Sequence, residues 1–251
     1  MIISEYKIKN ANLAHGLVFA LVSDLHGEAA EPVIEAVRSI KPDYILAAGD
    51  IFEPLLKKNE ERNESGYKLL AECARIAPTV YSPGNHEIGG DHSWSPKWRL
   101  SKGKAKTYNN ECIERLRKTG VYFLDDELIE LEGITFGGLC SGIINDDMKP
   151  DLRFVSRFLS AESPKVLVCH HPEYYRRYLR EKGIDLIVSG HAHGGQWRFF
   201  GRGVFAPGQG IFPKYTSGVY DNCLVVSRGL CNNARIPRFF NPTEVVKIVI
   251  E

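Results

Sequence analysis

No run in this chain reaches the roughly 18 consecutive apolar residues that a membrane-spanning helix needs. The first residues, Met1 to Asn12, carry charges and no apolar stretch, so they do not read as an export signal. An excess of one charge is also lacking: 32 Lys and Arg face 31 Asp and Glu, for a net charge of +1. That balance gives no reason to expect a nucleic-acid partner. The six cysteines, Cys73, Cys112, Cys140, Cys169, Cys223 and Cys231, form no C-x-x-C pair. In a chain of 251 residues they are expected to be reduced, buried small side chains. Internal repeats and low-complexity segments are absent as well. A hydrophobic content of 43% and a charged content of 25% are ordinary for a globular protein, and the length suits one α/β domain over residues 1–251.

What the chain does have is five short polar motifs. They are Asp24-Leu25-His26, Gly49-Asp50, Gly84-Asn85-His86-Glu87, His170, and Gly190-His191-Ala192-His193. Each follows a short apolar run: Leu17–Val22, Tyr44–Ala48, Thr79–Tyr81, Val166–Cys169 and Leu186–Val188. Such runs read as buried strands. The polar groups would then sit where strands end and loops begin, which is where α/β sheets form ligand sites. All of them offer hard oxygen or imidazole nitrogen. Two cations about 3.5–4 Å apart can hold both oxygens of an in-line phosphoryl displacement. Asp24 and His26 are two apart, as are His191 and His193, so on a regular strand each pair would share a side. Gly49, Gly84 and Gly190 each precede a candidate ligand and permit tight turns.

The set resembles the calcineurin-like metallophosphoesterase superfamily, with its D-x-H, G-D, G-N-H-[DE], H and G-H-x-H blocks. The resemblance spans roughly Val18 to Glu251. Gly190-His191-Ala192-His193-Gly194-Gly195-Gln196 is similar to the signature of the YkuE/YaeI-like phosphodiesterase branch. Tyr215-Thr216-Ser217-Gly218, Ser227-Arg228-Gly229, Pro237-Arg238 and Asn241-Pro242-Thr243-Glu244 fit that branch too. The resemblance implies a four-layer αββα sandwich of two mixed sheets flanked by helices. It implies a binuclear hydrolase of phosphodiester or pyrophosphate bonds. One metal would take Asp24, His26 and His193, the other Asn85, His170 and His191. Asp50 would bridge them, with a water or hydroxide as second bridge and nucleophile. His86 would be the general acid or electrostatic clamp at the leaving oxygen. Ligands of carboxylate, amide oxygen and imidazole suit Mn, Fe or Zn. The expected substrate is a small phosphorylated molecule, lipid-linked or nucleotide-linked. Phosphomonoesters and cyclic nucleotides remain the alternative, and a non-catalytic scaffold is the reading from a different class. Relatives in the branch often carry an N-terminal anchor or export signal. None reads from this chain, so its expected location is cytoplasmic, with peripheral membrane contact left open.

One departure is informative. Protein phosphatases of the superfamily read G-D-x-x-D-R-G, whereas Gly49-Asp50-Ile51-Phe52-Glu53-Pro54 stands here. Glu53 can orient His86, but Pro54 replaces the phosphate-holding arginine. This argues against a protein phosphatase and leaves the phosphate's partner unassigned. His170 is preferred over His171 as the ligand. His15 and His92 read as structural or surface residues. Glu87 reads as a support for its own loop, and Tyr174, Tyr175 and Tyr178 as packing. The segment Trp94–Lys106, with five basic residues, no acidic ones and two tryptophans, reads as a flap that helps choose substrate.

Helices are expected over Glu31–Ile40, Glu60–Ile76, Asn109–Lys118, Asp151–Ser160 and Tyr174–Lys182. Further strands are expected at Val121–Leu124, Leu128–Leu131, Ile134–Phe136, Leu224–Ser227 and Val245–Ile250. The alternation begins at Val18.

Overall fold

Alternation within the strands decides the layers of this protein. The computed structural model describes residues 1–55, 57–88, 110–141, 149–231 and 237–251. Among them the strands are β1 (Ile2–Ile8), β2 (Val18–Val22), β3 (Tyr44–Ala48), β4 (Thr79–Ser82), β5 (Tyr122–Phe123), β6 (Glu127–Leu131), β7 (Ile134–Leu139), β8 (Lys165–Cys169) and β9 (Leu186–Ser189). Two small hairpins follow, β10 (Arg198–Phe199) with β11 (Arg202–Gly203), and β12 (Phe205–Ala206) with β13 (Gly210–Ile211). The last strands are β14 (Gly218–Tyr220), β15 (Leu224–Val226) and β16 (Glu244–Ile250). One six-stranded sheet has the order β1-β16-β2-β3-β4-β5 and the other β14-β15-β9-β8-β7-β6. β2 to β5 run parallel, as do β7, β8, β9 and β15, whereas β16 is antiparallel to β2.

Phe19 and Leu21 of β2, Leu46 of β3, Phe136 of β7 and Val166 and Val168 of β8 point between the sheets. Their neighbours Ala20, Val22, Ile45 and Ala47 point the other way, onto helices α1 (Glu31–Ile40) and α2 (Glu60–Ile76). Leu167 and Cys169 of β8 meet Phe154 and Phe158 of α5 (Leu152–Leu159) on the far side. Here α3 is the turn Asn85–Ile88 and α4 is Asn110–Lys118. Three apolar layers thus separate four structural ones, in the αββα arrangement. Each fully buried Leu, Ile or Phe in them contributes roughly 1.5–3 kcal/mol.

Local chemistry sets the helix ends. In α1, Val33, Ile34, Val37 and Ile40 recur at helical spacing and are buried, and Pro32 occupies the first turn. Lys41 turns left-handed at φ 52°, and Pro42 cannot extend the helix. Asp151 caps α5 by accepting from the Arg153 backbone N–H at 2.8 Å.

Two expectations change. The pattern begins at β1, not at Val18. β1 is an edge strand that alternates exposed and half-buried residues and pairs in parallel with β16, so its charges mask it. The helix expected over Tyr174–Lys182 is a single wide turn, Tyr175–Leu179, closed by the Arg180 N–H on the Tyr175 carbonyl at 2.8 Å. That turn buries Tyr174, Tyr175 and Leu179 together against the second sheet.

Candidate metal centre

The motif loops leave the ends of β2, β3, β4, β8 and β9, and β3 touches both β8 and β9 across the sandwich. The loops, not strand alternation, bring the pairs together, because β2 has ended before Asp24. Asp24 (φ 55°), His26 (50°), Asp50 (51°), His191 (64°) and His193 (44°) are all left-handed. Such backbone costs about 1–3 kcal/mol per non-glycine residue and gathers at functional sites. Backbone bonds hold it: Asp24 N–H to Gly49 O at 3.0 Å, His26 N–H to Asp50 O at 3.2 Å, and Gly190 N–H to His170 O at 3.1 Å. Of the three glycines, only Gly49 uses a positive φ, 75°. The other two are needed for close approach. A Cβ on Gly84 would stand 2.2 Å from Asp50 Oδ1, and one on Gly190 2.5 Å from Asp24 Oδ2.

Two donor groups result. Asp24, His26 and His193 offer atoms within 4.8 Å of one another, and so do Asp50, His170 and His191. Asp50 Oδ2 joins them, 3.6 Å from His26 Nε2, 3.2 Å from His170 Nε2 and 4.0 Å from His86 Nε2. Asn85 Oδ1 lies 3.1 Å from His170 Nε2, and His193 Nε2 lies 3.5 Å from Asp24 Oδ1. All seven expected ligands therefore meet at one end of the sandwich.

The donors fit divalent cations. Both ring nitrogens of His26 are buried without a hydrogen-bond partner. Burial, then the His86 charge, pushes its pKa well below the ordinary value. Burial does the same to His191, aided by His171, and lowers His193. Burial pushes Asp50 up, but His170 and His86 outweigh it and hold the carboxyl well below the usual range. Burial pulls His170 down, and Asp50 lifts it to about 10. Neutral imidazoles beside ionised carboxylates are what a cation requires of its ligands. The raised His170 marks a place where positive charge is favoured. Its Nδ1 lies 2.7 Å from Ala48 O and donates there, while Nε2 faces the acceptor oxygens of Asp50 and Asn85; Nε2 is therefore the nitrogen whose proton a cation would displace. No thiolate joins the set, since Cys169 Sγ faces His171 O at 3.5 Å. All six cysteines are free.

His86 sits at the rim. Its Nδ1 is 3.4 Å from Glu53 Oε2, and Glu53 Oε1 is 3.7 Å from His26 Nδ1. Burial pulls its pKa down, but Asp50 and Glu53 push it up further, to about 9. Glu87 does more than support its own loop. Its carboxylate accepts the backbone N–H groups of Gly84 (2.7 Å), Asp50 (3.0 Å) and Phe52 (2.9 Å), so it ties two motif loops together. His171 is buried, 3.0 Å from Glu173 Oε1, with its ring 4.2 Å from that of His191. Arg238, which the sequence reading left without a role, also reaches the site. Its Nη2 is 3.1 Å from His193 Nδ1 and donates to Cys231 O at 2.5 Å, while Nε and Nη1 are buried with no partner. The only sequence signal for it was the Pro237-Arg238 pair. His92 and the flap expected over Trp94–Lys106 lie outside the described residues.

The calcineurin-like phosphoesterase family matches residues 17–195, and the chain belongs to that family. It is similar to uncharacterized metallophosphoesterases. One, from Aquifex aeolicus, is 24% identical over 268 residues, covering 99% of this chain and 91% of the relative. YkuE of Bacillus subtilis is 26% identical over 263 residues, covering 99% and 85%. Another, from Helicobacter pylori strain J99, is 26% identical over 202 residues, and the chain spans 49% of its length. The chain likewise spans 65% of YpbG of Bacillus subtilis. Among solved structures, TT1561 of Thermus thermophilus has a TM-score of 0.47 at 13% identity, covering 70% of this chain and 81% of that one. No helix among the described residues is long and apolar enough to cross a membrane.

Proposed function

We propose that this protein is a binuclear metal-dependent hydrolase of phosphodiester or pyrophosphate bonds, built as one domain over residues 1–251. The observation that carries the reading is Asp50 Oδ2, within 4.0 Å of His26, His170 and His86 nitrogens and so shared by both donor groups. Asp24, His26 and His193 would hold one cation, and Asn85, His170 and His191 the other, with Asp50 between. When bound, divalent Mn, Fe or Zn supplies Lewis acidity and a nucleophile at neutral pH.

The chain's own groups do the rest. Asp50 and Glu53 keep His86 protonated at neutral pH, so its Nε2 can give a proton to the leaving oxygen while Glu53 holds Nδ1. Arg238, whose Nε and Nη1 are buried without partners, would take the part of the arginine that Pro54 replaces. If His193 Nε2 takes a cation, its proton moves to Nδ1, and two donors would face each other across 3.1 Å. The guanidinium would then be left with donors available to a phosphoryl oxygen. The substrate we favour is small and phosphorylated, lipid-linked or nucleotide-linked, met in the cytoplasm.

To test the reading, the protein is stripped of metal and restored separately with Mn²⁺, Fe²⁺ and Zn²⁺. Turnover of bis-nitrophenyl phosphate above that of nitrophenyl phosphate is expected with at least one metal. No turnover of either ester with any metal would sink it.

A further inference from the structure

The strongly exposed phenylalanines among the described residues come from two stretches of the chain: Phe199, Phe200 and Phe212, and then Phe239 and Phe240. Phe200 is fully exposed, Phe240 is 81% exposed and Phe212 78%. Of the other exposed large apolar side chains, Ile211 adjoins Phe212, Met1, Ile2 and Ile3 lie at the start of the edge strand β1, and Tyr122, Leu128 and Leu152 stand singly, as is normal on any surface. The phenylalanines join. Trp197 bridges in parallel to Phe239, and the Arg198 N–H donates to the Phe239 carbonyl at 3.0 Å. The rings of Phe199 and Phe240 are 6.2 Å apart, and those of Trp197 and Phe239 6.5 Å. The β10–β11 hairpin and the segment after Arg238 therefore make one aromatic ledge. Val204 connects it to the second hairpin, since its carbonyl accepts the Phe212 N–H at 2.8 Å. The ledge is firmly mounted. Buried Arg198 donates to Gly194 O at 2.8 Å, to Thr216 Oγ1 at 3.2 Å, and to Gly201 O.

Backbone and charge say what the ledge meets. Phe200 (φ 48°), Phe212 (52°) and Phe240 (53°) are left-handed, at positions where glycine, asparagine or aspartate would be at ease. A bulky aromatic there is strained and also wetted, at a cost to the free protein. From Gly194 to Tyr220 the chain holds Arg198, Arg202 and Lys214 and no acidic residue. Arg202 and Lys214 are exposed. From Pro237 to Thr243 it holds Arg238 and again no acidic residue. Aromatic tips flanked by cations, in a chain of net charge only +1, match the boundary of an anionic bilayer. There the rings enter the acyl edge and the cations meet headgroups. A second copy of the chain would set these cations against one another.

We propose that Phe199, Phe200, Phe212, Phe239 and Phe240, with Arg202 and Lys214, form a docking surface for an anionic lipid bilayer. The surface begins six positions after His193 and includes the segment that carries Arg238 to His193 Nδ1. Docking would hold the donor cluster close to the headgroup layer.

Flotation of the full chain with vesicles tests this, with phosphatidylcholine alone and with phosphatidylcholine mixed with phosphatidylglycerol. The wild type should float with the mixed vesicles, and added salt should weaken the binding. Phe200→Ser, Phe212→Ser and Phe240→Ser should each weaken partitioning roughly ten-fold, the effect of withdrawing about half a phenylalanine from hydrocarbon. Arg202→Gln with Lys214→Gln should remove the preference for the anionic vesicles. These side chains are exposed, so far-ultraviolet circular dichroism and bis-nitrophenyl phosphate turnover should stay as in the wild type, which keeps this test separate from the hydrolase reading. Absence of wild-type flotation would overturn the proposal. So would flotation indifferent to the phenylalanine changes, or a concentration-dependent dimer that Phe200→Ser dissolves.

Discussion

Replacing Arg238 by methionine separates a substrate-holding arginine from a structural one, because the first predicts lost turnover with an unchanged melt and the second a lowered melt with turnover spared. In the free protein Nε and Nη1 are buried without partners. Each unpaired buried donor costs about 1–3 kcal/mol. Burial also pulls the guanidinium pKa down, so the fold works against this charge. The two bonds that methionine would lose, to Cys231 O and His193 Nδ1, come from a charged group and are worth about 1.5–3 kcal/mol each. Loss and relief nearly cancel, and the melting temperature should move little. Turnover should not be spared. Two charge-assisted bonds to phosphoryl oxygens, at about 1.5–3 kcal/mol each, amount to roughly 3–6 kcal/mol, or about 10²–10⁴ in kcat/KM. Inorganic phosphate should lose potency as an inhibitor in parallel, while metal content stays at the wild-type level. The assay is kcat/KM on bis-nitrophenyl phosphate beside a thermal melt and elemental analysis. A melt lowered by many degrees with kcat/KM spared would refute the reasoning, since that is the signature of an arginine that only braces the fold.

Asp50→Asn should reduce metal content more than loss of any other single ligand, because Asp50 Oδ2 stands between both donor groups. Elemental analysis decides, and two retained equivalents would show that Asp50 is not shared. His86→Ala should keep its metal and lose about 10²–10⁴-fold in turnover. The loss should shrink on an acidic nitrophenyl leaving group, and Glu53→Gln should show a smaller version of it; equal losses on acidic and basic leaving groups would count against the acid role. Gly84→Ala should lose metal with the rest of the fold intact, because its Cβ would fall 2.2 Å from Asp50 Oδ1. Near-normal metal content in that variant would mean the loop can yield.

The ends of α1 were legible in the sequence because helix starts and stops act within a few residues, as Pro32 and the Lys41-Pro42 step do. The metal-ligand candidates were legible for a chemical reason. Few residue types offer hard oxygen or imidazole nitrogen, and a strand-then-loop pattern repeated around each of them. β1 was not legible, because its pairing with β16 joins opposite ends of the chain, Ile2 with Glu244. An edge strand facing water on one side carries no continuous apolar run to announce it.

Order of residues therefore determined which elements form and which groups are available for chemistry. Tertiary structure decided what those groups became. Glu87 became a brace for the Asp50 loop only because that loop packs against it. Arg238 met His193 across 45 positions of chain, where burial left its donors unpaired. Phe19 and Phe240 are the same residue type, yet one is sealed between the sheets and the other stands in water. Side-chain chemistry is local and can be read along the chain. Burial and pairing across long separations depend on packing, and so are settled only when the two sheets close on each other.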